Sequence, residues 1–412
     1  MNAVEVKPKR SVKKILLAVL AVIVVLVVAV VGAVFAIWHD EIGTVASIKM
    51  LRERNDDHND GAVYAMQVRG DFYLDDFVAQ GGVSNDTDLI QFITNNITHG
   101  VVDLNMTAPE IGCSSFTATA ESGDALFARN YDFSKTNTMI VTTGANADRH
   151  ATISTVDLQF LGIDVEQDMT GLMDKVLCLA APYAPLDGVN DAGVSCGIYM
   201  TYQGGDKTVA TDQNTDKPDF TSTTLLRLIL DYADDVDEAV QIASSYDLHD
   251  SANTSYHYMV ADASGRSAIL EWTADGAVDT TDNDGSARTL KVIYNDQDAA
   301  IGEREAASNY QVITNFVLQP GYYEGVPAEE KKGADRYDHL YEALQATDGV
   351  VADEQGAMDI LQSVGRRTWD NDDKNNCTVH SAVYNLTDRS VLWVSNENYD
   401  DPTAVFTFSL QG

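Results

Sequence analysis

The chain has 412 residues, of which 45% are hydrophobic and 22% charged, a composition typical of a globular protein with a large core. Its 63 acidic and 27 basic residues give a formal net charge of −36, which argues against nucleic acid as a partner, because phosphate binding needs a basic surface. The same acidity is expected to keep an exposed domain soluble.

The first 38 residues have the pattern of a membrane anchor. Residues 15–38 form an uncharged run of 24 residues, longer than the roughly 20 that span a bilayer. Basic residues precede the run, so residues 1–14 are predicted to stay cytoplasmic and residues 39–412 to lie outside the cell. A cleaved signal peptide is the alternative, but its apolar core is about 7–15 residues. The length therefore favours a single-pass protein of the cell membrane.

Residues 39–112 separate this run from the most informative part of the chain. Residues 39–61 are polar and charged, which predicts a juxtamembrane spacer. Residues 63–68 are strand-like, and residues 72–77 are strand-like or mixed. Residues 84–94 begin with an N-cap signal, Ser84-Asn85-Asp86, before an apolar stretch, which predicts a helix.

Cys113 opens a predicted hairpin. Residues 114–120 alternate small polar and apolar side chains, residues 121–124 form a turn, and residues 125–133 form a second strand. Arg129 and Asp132 lie on that second strand, within reach of Cys113. A thiol becomes a nucleophile when a nearby cation or base favours the thiolate. Without such partners, a lone cysteine in a strand is more often a small buried hydrophobe.

Two helices and two hairpins are predicted further along. The helices cover residues 225–229 and 236–244, and the hairpins cover residues 256–272 and 381–395. Residues 193–197 match the Gly-x-Ser-x-Gly elbow of serine hydrolases, but that elbow needs a strand before it and a helix after it. Here a loop precedes and a strand-like run follows, so Ser195 is predicted to be a strand residue. Periodicity alone supports a mixed α/β domain.

The sequence suggests no metal and no cofactor. Its eight histidines form no His-Glu-x-x-His cluster, and the calcium-like stretches at 282–285 and 371–374 lack the distal glutamate. Outside the cell, thiols tend to pair. If Cys113 is catalytic, the remaining Cys178, Cys196 and Cys377 allow at most one disulfide, and the sequence does not choose the pair.

Longer strings resemble a known family. Gly-Cys-Ser-Ser-Phe at 112–116 and Gly-Asp-Ala-Leu-Phe-Ala-Arg-Asn-Tyr-Asp at 123–132 are similar to the start of the mature chain in the choloylglycine hydrolase and penicillin V acylase family. The resemblance covers about 300 residues in the same order, which is more specific than any single motif. It continues at residues 187–194, 256–265, 312–316, 334–337 and 381–396.

The resemblance implies a fold and a domain organisation. The family has the N-terminal-nucleophile fold, a four-layer αββα sandwich, so the class is α+β behind an N-terminal transmembrane helix. Residues 62–112 stand where some members carry a pro-segment, and residues 113–412 would form the catalytic domain. Such enzymes expose the cysteine as the first residue by cleaving the bond before it, here Gly112–Cys113.

It also implies a mechanism. The new α-amine of Cys113, with an ordinary pKa of about 7.7–8.0, would act as the base. Arg129 would favour the thiolate, Asp132 would orient the ammonium or thiol, and Asn315 would donate to the oxyanion. A second oxyanion donor is expected from a backbone N–H near Tyr199. Arg336 would help to hold the site, so the implied catalytic set is Cys113, Arg129, Asp132, Asn315 and Arg336.

The expected substrate is a small non-peptide amide of the bile-salt, penicillin V or N-acyl amide type, cleaved through an acyl-thioester. An acyltransferase of the same family is one alternative, because a free amine can intercept the thioester. A cell-surface binding protein that keeps the fold without catalysis is another. Self-association into a homo-oligomer stays an open alternative.

Overall fold

The computed structural model describes residues 10–97, 112–274, 285–297, 307–323, 330–369 and 376–410. These residues form ten α-helices and eighteen β-strands. The helices are α1 (Arg10–Ile37), α2 (His39–Ser47), α3 (Leu74–Ala79), α4 (Asp86–Asn96), α5 (Leu172–Leu177), α6 (Ser222–Tyr232), α7 (Val236–Ser245), α8 (Ala334–Gln345), α9 (Glu354–Ser363) and α10 (Arg366–Trp369). The strands are β1 (Lys49–Arg52), β2 (Val63–Gln67), β3 (Gly112–Ala120), β4 (Ala125–Ser134), β5 (Thr138–Thr143), β6 (Thr152–Asp157), β7 (Asp187–Asn190), β8 (Ser195–Met200), β9 (Asp219–Thr221), β10 (Asp247–His249), β11 (Tyr256–Ala261), β12 (Ser267–Thr273), β13 (Thr289–Tyr294), β14 (Val312–Ile313), β15 (Val350–Val351), β16 (Asn376–Asn385), β17 (Ser390–Ser395) and β18 (Val405–Ser409).

Most strands belong to two large sheets. The first has the order β1-β2-β5-β6-β7-β8-β11-β12-β13, and its strands are antiparallel except for the parallel pair β2 and β5. The second has the order β14-β3-β4-β16-β17-β18, with β15 added parallel to β3. The short strands β9 and β10 form a separate parallel pair.

The two large sheets pack face to face, with helices on both outer sides. Buried side chains of both sheets, among them Phe116 and Tyr131 from one and Ile198 and Met259 from the other, belong to one hydrophobic cluster. Helices α6 and α7 lie against the nine-stranded sheet, and α8 and α9 lie against the seven-stranded sheet. This arrangement is a four-layer αββα sandwich and confirms the predicted fold class.

Local signals explain several of the predicted elements. The hairpin of β3 and β4 turns at Gly123, whose φ of +97° favours glycine. Helix α4 begins after Asn85, whose side chain accepts a hydrogen bond from the backbone N–H of Asp88 at 2.9 Å. The pair α6 and α7 and the hairpins β11–β12 and β16–β17 lie where the sequence predicts them.

Other segments differ from the sequence predictions. Residues 39–61, for which the polar composition predicts a spacer, contain α2 and the edge strand β1. Residues 72–77 were predicted to be strand-like or mixed, yet they lead into helix α3, which buries Leu74 and Phe77. The calcium-like stretches lie outside the described residues, except for Gly285.

Helix α1 carries the uncharged run of the sequence. Its stretch Val19–Ile37 is long and apolar enough to cross a membrane, and none of it is buried inside the protein. A signal sequence near the N-terminus passes the same test of length and composition. Helix α2 follows at once and is fixed to the domain, because the backbone N–H of Arg69 donates to Thr44 Oγ1 at 2.8 Å. The Tyr73 hydroxyl also donates to Glu41 at 2.9 Å.

Candidate active site

The hairpin of β3 and β4 brings the first three predicted residues together. Gly112 pairs with Asp132, Cys113 with Tyr131, and Ser115 with Arg129 across the hairpin. Because side chains alternate along a strand, Arg129 and Asp132 point to opposite faces of the sheet. Arg129 contacts the thiol between the two sheets, whereas Asp132 contacts helix α8 on the other face.

The thiol of Cys113 is fully buried. Its Sγ lies 3.4 Å from Arg129 Nη2 and 3.9 Å from the carbonyl oxygen of Ile198. Burial raises the pKa of this thiol, while the charge and hydrogen bond of Arg129 oppose that rise without cancelling it. In the uncut chain, therefore, the thiol is protonated at neutral pH, although Arg129 acts in the direction that the sequence predicts.

A buried acid holds Arg129 in place. Arg129 Nη1 lies 3.0 Å from Asp187 Oδ2, and Nη2 donates to the carbonyl of Ile198 at 2.6 Å. Asp187 is also contacted by His380 Nε2 at 2.8 Å and by the Tyr384 hydroxyl. Burial opposes its ionisation, but the charges of His380 and Arg129 hold the pKa of Asp187 at about 2. Asp187 is thus a buried carboxylate that fixes the guanidinium beside the thiol.

Sequence reasoning missed Asp187, His380 and Tyr384 as parts of the site. Asp187 opens the Asp-Gly-Val-Asn segment that resembles the family, so its position was noted but its partner was not. One usable signal existed, since Asp187 directly follows the uncharged run 176–186, and a buried acid needs a cation or donor nearby. Nothing in the sequence identifies that cation as Arg129.

Asn315 and Arg336 contact the backbone of Cys113. The N–H of Cys113 donates to Asn315 Oδ1 at 3.1 Å, and its carbonyl accepts from Arg336 Nη1 at 2.9 Å. Arg336 also donates to Asn315 Oδ1 at 2.8 Å and to Asp132 Oδ2 at 3.0 Å. Asp132 accepts a further hydrogen bond from the Thr378 hydroxyl at 2.7 Å. All five predicted residues therefore meet at position 113.

The hydrogen bonds around Asn315 fix the orientation of its amide. Two donors, Cys113 N and Arg336 Nη2, converge on one atom of its amide, which must therefore be the oxygen. Its Nδ2 donates to the carbonyl of Met200 at 2.9 Å. Asn315 thus accepts from the backbone N–H of Cys113, and one of its own N–H groups is already used. The residue expected to mark the second oxyanion donor, Tyr199, is buried with its hydroxyl on Ser115 at 2.6 Å.

A polar cleft of about 290 Å³ opens beside the cysteine. It reaches Gly112, Asp132, Asn315 and Arg336, whereas Cys113 lies behind them with no exposed surface. The rest of the lining combines charged, polar and aromatic side chains: Phe133, Tyr202, Asp206, Lys332, Asp335, Arg366, Trp369 and Asn376, with Gly333.

The structure also bears on the alternative chemistries. Ser195 is the first residue of β8 and is buried, with its hydroxyl donating to the Gly188 carbonyl at 2.7 Å, which agrees with the predicted strand position. In the described part of the chain, no group of His, Cys, Asp and Glu is arranged to hold a metal ion. All four cysteines are described, buried and unbridged, so the one disulfide that the sequence allowed is not formed.

Comparison with known proteins gives this arrangement a family. Residues 113–291 match the sequence model of linear amide C–N hydrolases, choloylglycine hydrolase family. The match begins at Cys113 itself. These residues belong to the choloylglycine hydrolase family. The resemblance seen in the sequence is confirmed, and the protein is a hydrolase of carbon–nitrogen bonds in linear amides.

Solved structures of this family share low sequence identity with the chain. A mutant of the conjugated bile acid hydrolase from Clostridium perfringens is 14% identical, with a TM-score of 0.45 over 72% of this chain and 92% of that chain. Penicillin V acylase from Agrobacterium tumefaciens is 15% identical, with a TM-score of 0.44 over 72% and 86%. The Caenorhabditis elegans N-acylethanolamine-hydrolyzing acid amidase ortholog is 16% identical, with a TM-score of 0.40 over 72% and 100%. A search of curated protein sequences finds no match.

Proposed function

We propose that this choloylglycine hydrolase family member cleaves a small non-peptide amide with Cys113 as its nucleophile. One observation carries the proposal: the predicted residues contact the two atoms of Cys113 that would react, its sulfur and its nitrogen, and also its carbonyl oxygen. Its Sγ faces Arg129, its nitrogen faces Asn315 and its carbonyl oxygen faces Arg336. A merely structural cysteine also needs an acceptor for its backbone N–H, but it needs no guanidinium beside its thiol.

The first step is cleavage of the chain before Cys113. The thiol adds to the Gly112 carbonyl, the C–N bond breaks, and the thiol proton moves to the departing nitrogen, which becomes the α-amine. Water then hydrolyses the Gly112 thioester and frees the thiol. The contact between Cys113 N and Asn315 Oδ1 supports this step, because it already places an acceptor where the ammonium will form.

Amide hydrolysis follows the same chemistry. The α-amine takes the thiol proton, the thiolate attacks the substrate carbonyl, and the amine product leaves with that proton. Arg129 stabilises the thiolate, while Asp132 and Arg336 keep the new N-terminus in position. Water then releases the acid from the thioester. Bile-salt conjugates, penicillin V and N-acyl amides are the substrate types to compare.

Helix α1 is proposed to anchor the enzyme in the cell membrane, with the catalytic domain outside. Its length, its apolar composition and the basic residues before it support this topology. An acyltransferase is the second candidate, since the charged cleft offers room for a second amine, and its test is product formation with an added acceptor amine.

The deciding experiment compares two cysteine variants on a panel of these amides, with amine release as the readout. Cys113→Ala should abolish turnover and labelling by thiol reagents. Cys196→Ala is the matched control, because that thiol is equally buried but packs against helix α6, and it should keep activity. Full activity in Cys113→Ala would sink the proposal. Loss of activity in Ser195→Ala but not in Cys113→Ala would instead favour Ser195 as the nucleophile of a serine hydrolase.

N-terminal sequencing tests the processing step. The heavy fragment of active wild-type protein should begin at Cys113, and residues up to 112 should appear as a light fragment. A different first residue in fully active enzyme, or activity from an uncut chain, would rule out the α-amine as base.

A further inference from the structure

A histidine outside the predicted site is held between two acceptors. His257 on β11 places Nδ1 2.9 Å from Glu271 Oε1 and Nε2 2.9 Å from the carbonyl oxygen of Thr314. Both side chains are buried, at 1% exposure. Glu271, on the neighbouring strand β12, also accepts from the backbone N–H groups of Leu318 at 2.7 Å and Gln319 at 2.9 Å.

These contacts fix the number of protons on the pair. A carbonyl oxygen only accepts, so Nε2 must carry a proton. A second proton must lie between Nδ1 and Oε1. Without it, a neutral ring would place the lone pair of Nδ1 against a carboxylate in a buried site. The pair is therefore satisfied as imidazolium and carboxylate, or with that proton on Glu271. Either way it holds two protons.

The pair forms hydrogen bonds with both ends of the segment 314–319. His257 binds Thr314, and Glu271 binds residues 318 and 319, so Asn315 lies between the two attachment points. Asn315 in turn accepts from Cys113 N, and its own carbonyl accepts from Tyr202 N at 2.8 Å. Among the described residues, Asn315 also contacts the nine-stranded sheet directly, because its Nδ2 donates to the carbonyl of Met200 on β8 at 2.9 Å.

We propose that His257 and Glu271, sharing one proton, form a positioning pair that holds Asn315 against the backbone nitrogen of Cys113. The catalytic consequence rests on the function proposed above, whereas the proton count does not. Without that shared proton, the Nδ1 lone pair would face the carboxylate, and the contact of the ring with Thr314 would weaken. Besides Glu271 on β12 and the Thr314 carbonyl, the ring faces Tyr199 on β8, edge-on at 5.9 Å between centroids.

The test compares kcat in three variants, which are two single substitutions and the double substitution. In His257→Gln, the new amide donates to Thr314 but turns its oxygen towards the Glu271 carboxylate. Displacement of Asn315 should then lower kcat about 100-fold, the scale expected when a group near the chemistry moves by about 1 Å. In Glu271→Gln, the amide has a single oxygen in place of the two that accept from Leu318 and Gln319, so one backbone N–H loses its acceptor and kcat should fall as well.

The double variant His257→Gln with Glu271→Gln separates positioning from simple structural damage. The new amide at position 271 donates to the new amide oxygen at position 257, which removes the repulsion present in His257→Gln, so the combined loss in kcat should be smaller than the product of the two single losses. Additive or worse loss in the double variant would overturn the proposal. The control is His249→Gln, because His249 also lies between two acceptors, Asp212 at 2.7 Å and Asp219 at 3.0 Å, but on β10. It should leave kcat unchanged.

A spectroscopic measurement distinguishes this proposal from the proposed function. Nitrogen-15 NMR of histidine-labelled wild-type protein at neutral pH should show His257 with both ring nitrogens protonated or sharing a proton, assigned by its absence in His257→Gln. A neutral ring with a free Nδ1 would overturn the proposal even in an active enzyme. The expected signal in a protein that cleaves no amide would leave the pair intact and refute only the function. If His257→Gln does not fold, Glu271→Gln and this spectrum still decide.

Discussion

Asp187 decides where the guanidinium of Arg129 lies, because both groups are fully buried and 3.0 Å apart. Removing one partner of a buried ion pair leaves an uncompensated charge, which typically costs about 3–5 kcal/mol. Asp187→Asn should lower the free energy of unfolding by that amount. It should also reduce kcat, because the Arg129 guanidinium loses the carboxylate that fixes it beside the thiol. Chemical denaturation and amide turnover measure the two effects.

The matched control for Asp187→Asn is Asp75→Asn. Asp75 also faces an arginine, with Asp75 Oδ1 3.4 Å from Arg149 Nε, but it is 61% exposed. Exposed pairs contribute about 0–1 kcal/mol, so this variant should be nearly neutral. Equal losses in both variants would show that burial of Asp187 does not matter.

The same residue predicts an acid-sensitive limb of stability. The pKa of Asp187 is held at about 2 in the folded protein, below the ordinary value of 3.8, by His380 and Arg129 against the effect of burial. A lowered folded-state pKa gives stability that is present above about pH 4 and is lost as the pH falls towards 2. Thermal unfolding between pH 5 and pH 2 should show a smaller loss for Asp187→Asn than for wild type.

How much of the site can be predicted from the sequence depends on how close its residues lie along the chain. Cys113, Arg129 and Asp132 lie on one hairpin, so the spacing alone brings them together. Asn315 and Arg336 come from distant segments and were found only through the family resemblance. Asp187, His380 and His257 were not found, because their partners converge through sheet pairing and packing that no local pattern records.

At the scale of elements, the segment before Cys113 is built into the fold. Strand β2 pairs parallel with β5, from Val63 with Thr138 to Gln67 with Thr142. A parallel partner from the other side of Cys113 is a tertiary feature, so the sequence indicated a strand-like or mixed segment at 63–68 but not its neighbour. The Thr- and Ser-rich strand β6 was likewise not predicted, since buried polar strands lack the apolar alternation that marks a strand.

Helix α4 should keep the light fragment attached after cleavage. Phe92 is buried against Phe77 and Tyr183, at ring-centroid distances of 5.2 and 6.0 Å. Loss of a buried Phe costs about 3–5 kcal/mol, and a buried carboxylate adds to that cost. Phe92→Asp should therefore release the light fragment on size-exclusion chromatography of processed protein.

Gln91→Asp on the same helix is the control, because Gln91 is exposed and bonds only to Asn95 at 2.8 Å among the contacts of its side chain. Exposed substitutions usually change stability by no more than about 0.5 kcal/mol, so the fragments should elute together. Co-elution in Phe92→Asp as well would mean that the β2–β5 pairing suffices.

At the scale of the whole molecule, the proposed anchor and the site lie at opposite ends of the strands of the nine-stranded sheet. The end of α1, at Ile37, lies beside residues that follow β2, such as Val68 and Phe72. Paired positions lead across the sheet from that end of β2 to the first residue of β8: Gln67 with Thr142, Thr142 with Ile153, Ile153 with Val189, and Val189 with Ser195. The site uses the other end of β8, at Ile198 and Met200. Five steps of about 3.3 Å, from Ser195 to Met200, separate the two ends by roughly 17 Å.

This geometry predicts that the anchored enzyme takes its substrate from water rather than from its own bilayer. The full-length protein should hydrolyse a water-soluble amide at the same kcat/KM in detergent and in vesicles, because the site lies at the end of β8 remote from the proposed anchor. Protease added outside intact cells should remove the activity, since the proposed topology places the catalytic domain outside the cell. Cys113→Ala in the same vesicles gives the background rate. A long-chain amide that is cleaved faster when placed in the enzyme's own bilayer would contradict the orientation, and full protection from external protease would reverse the topology.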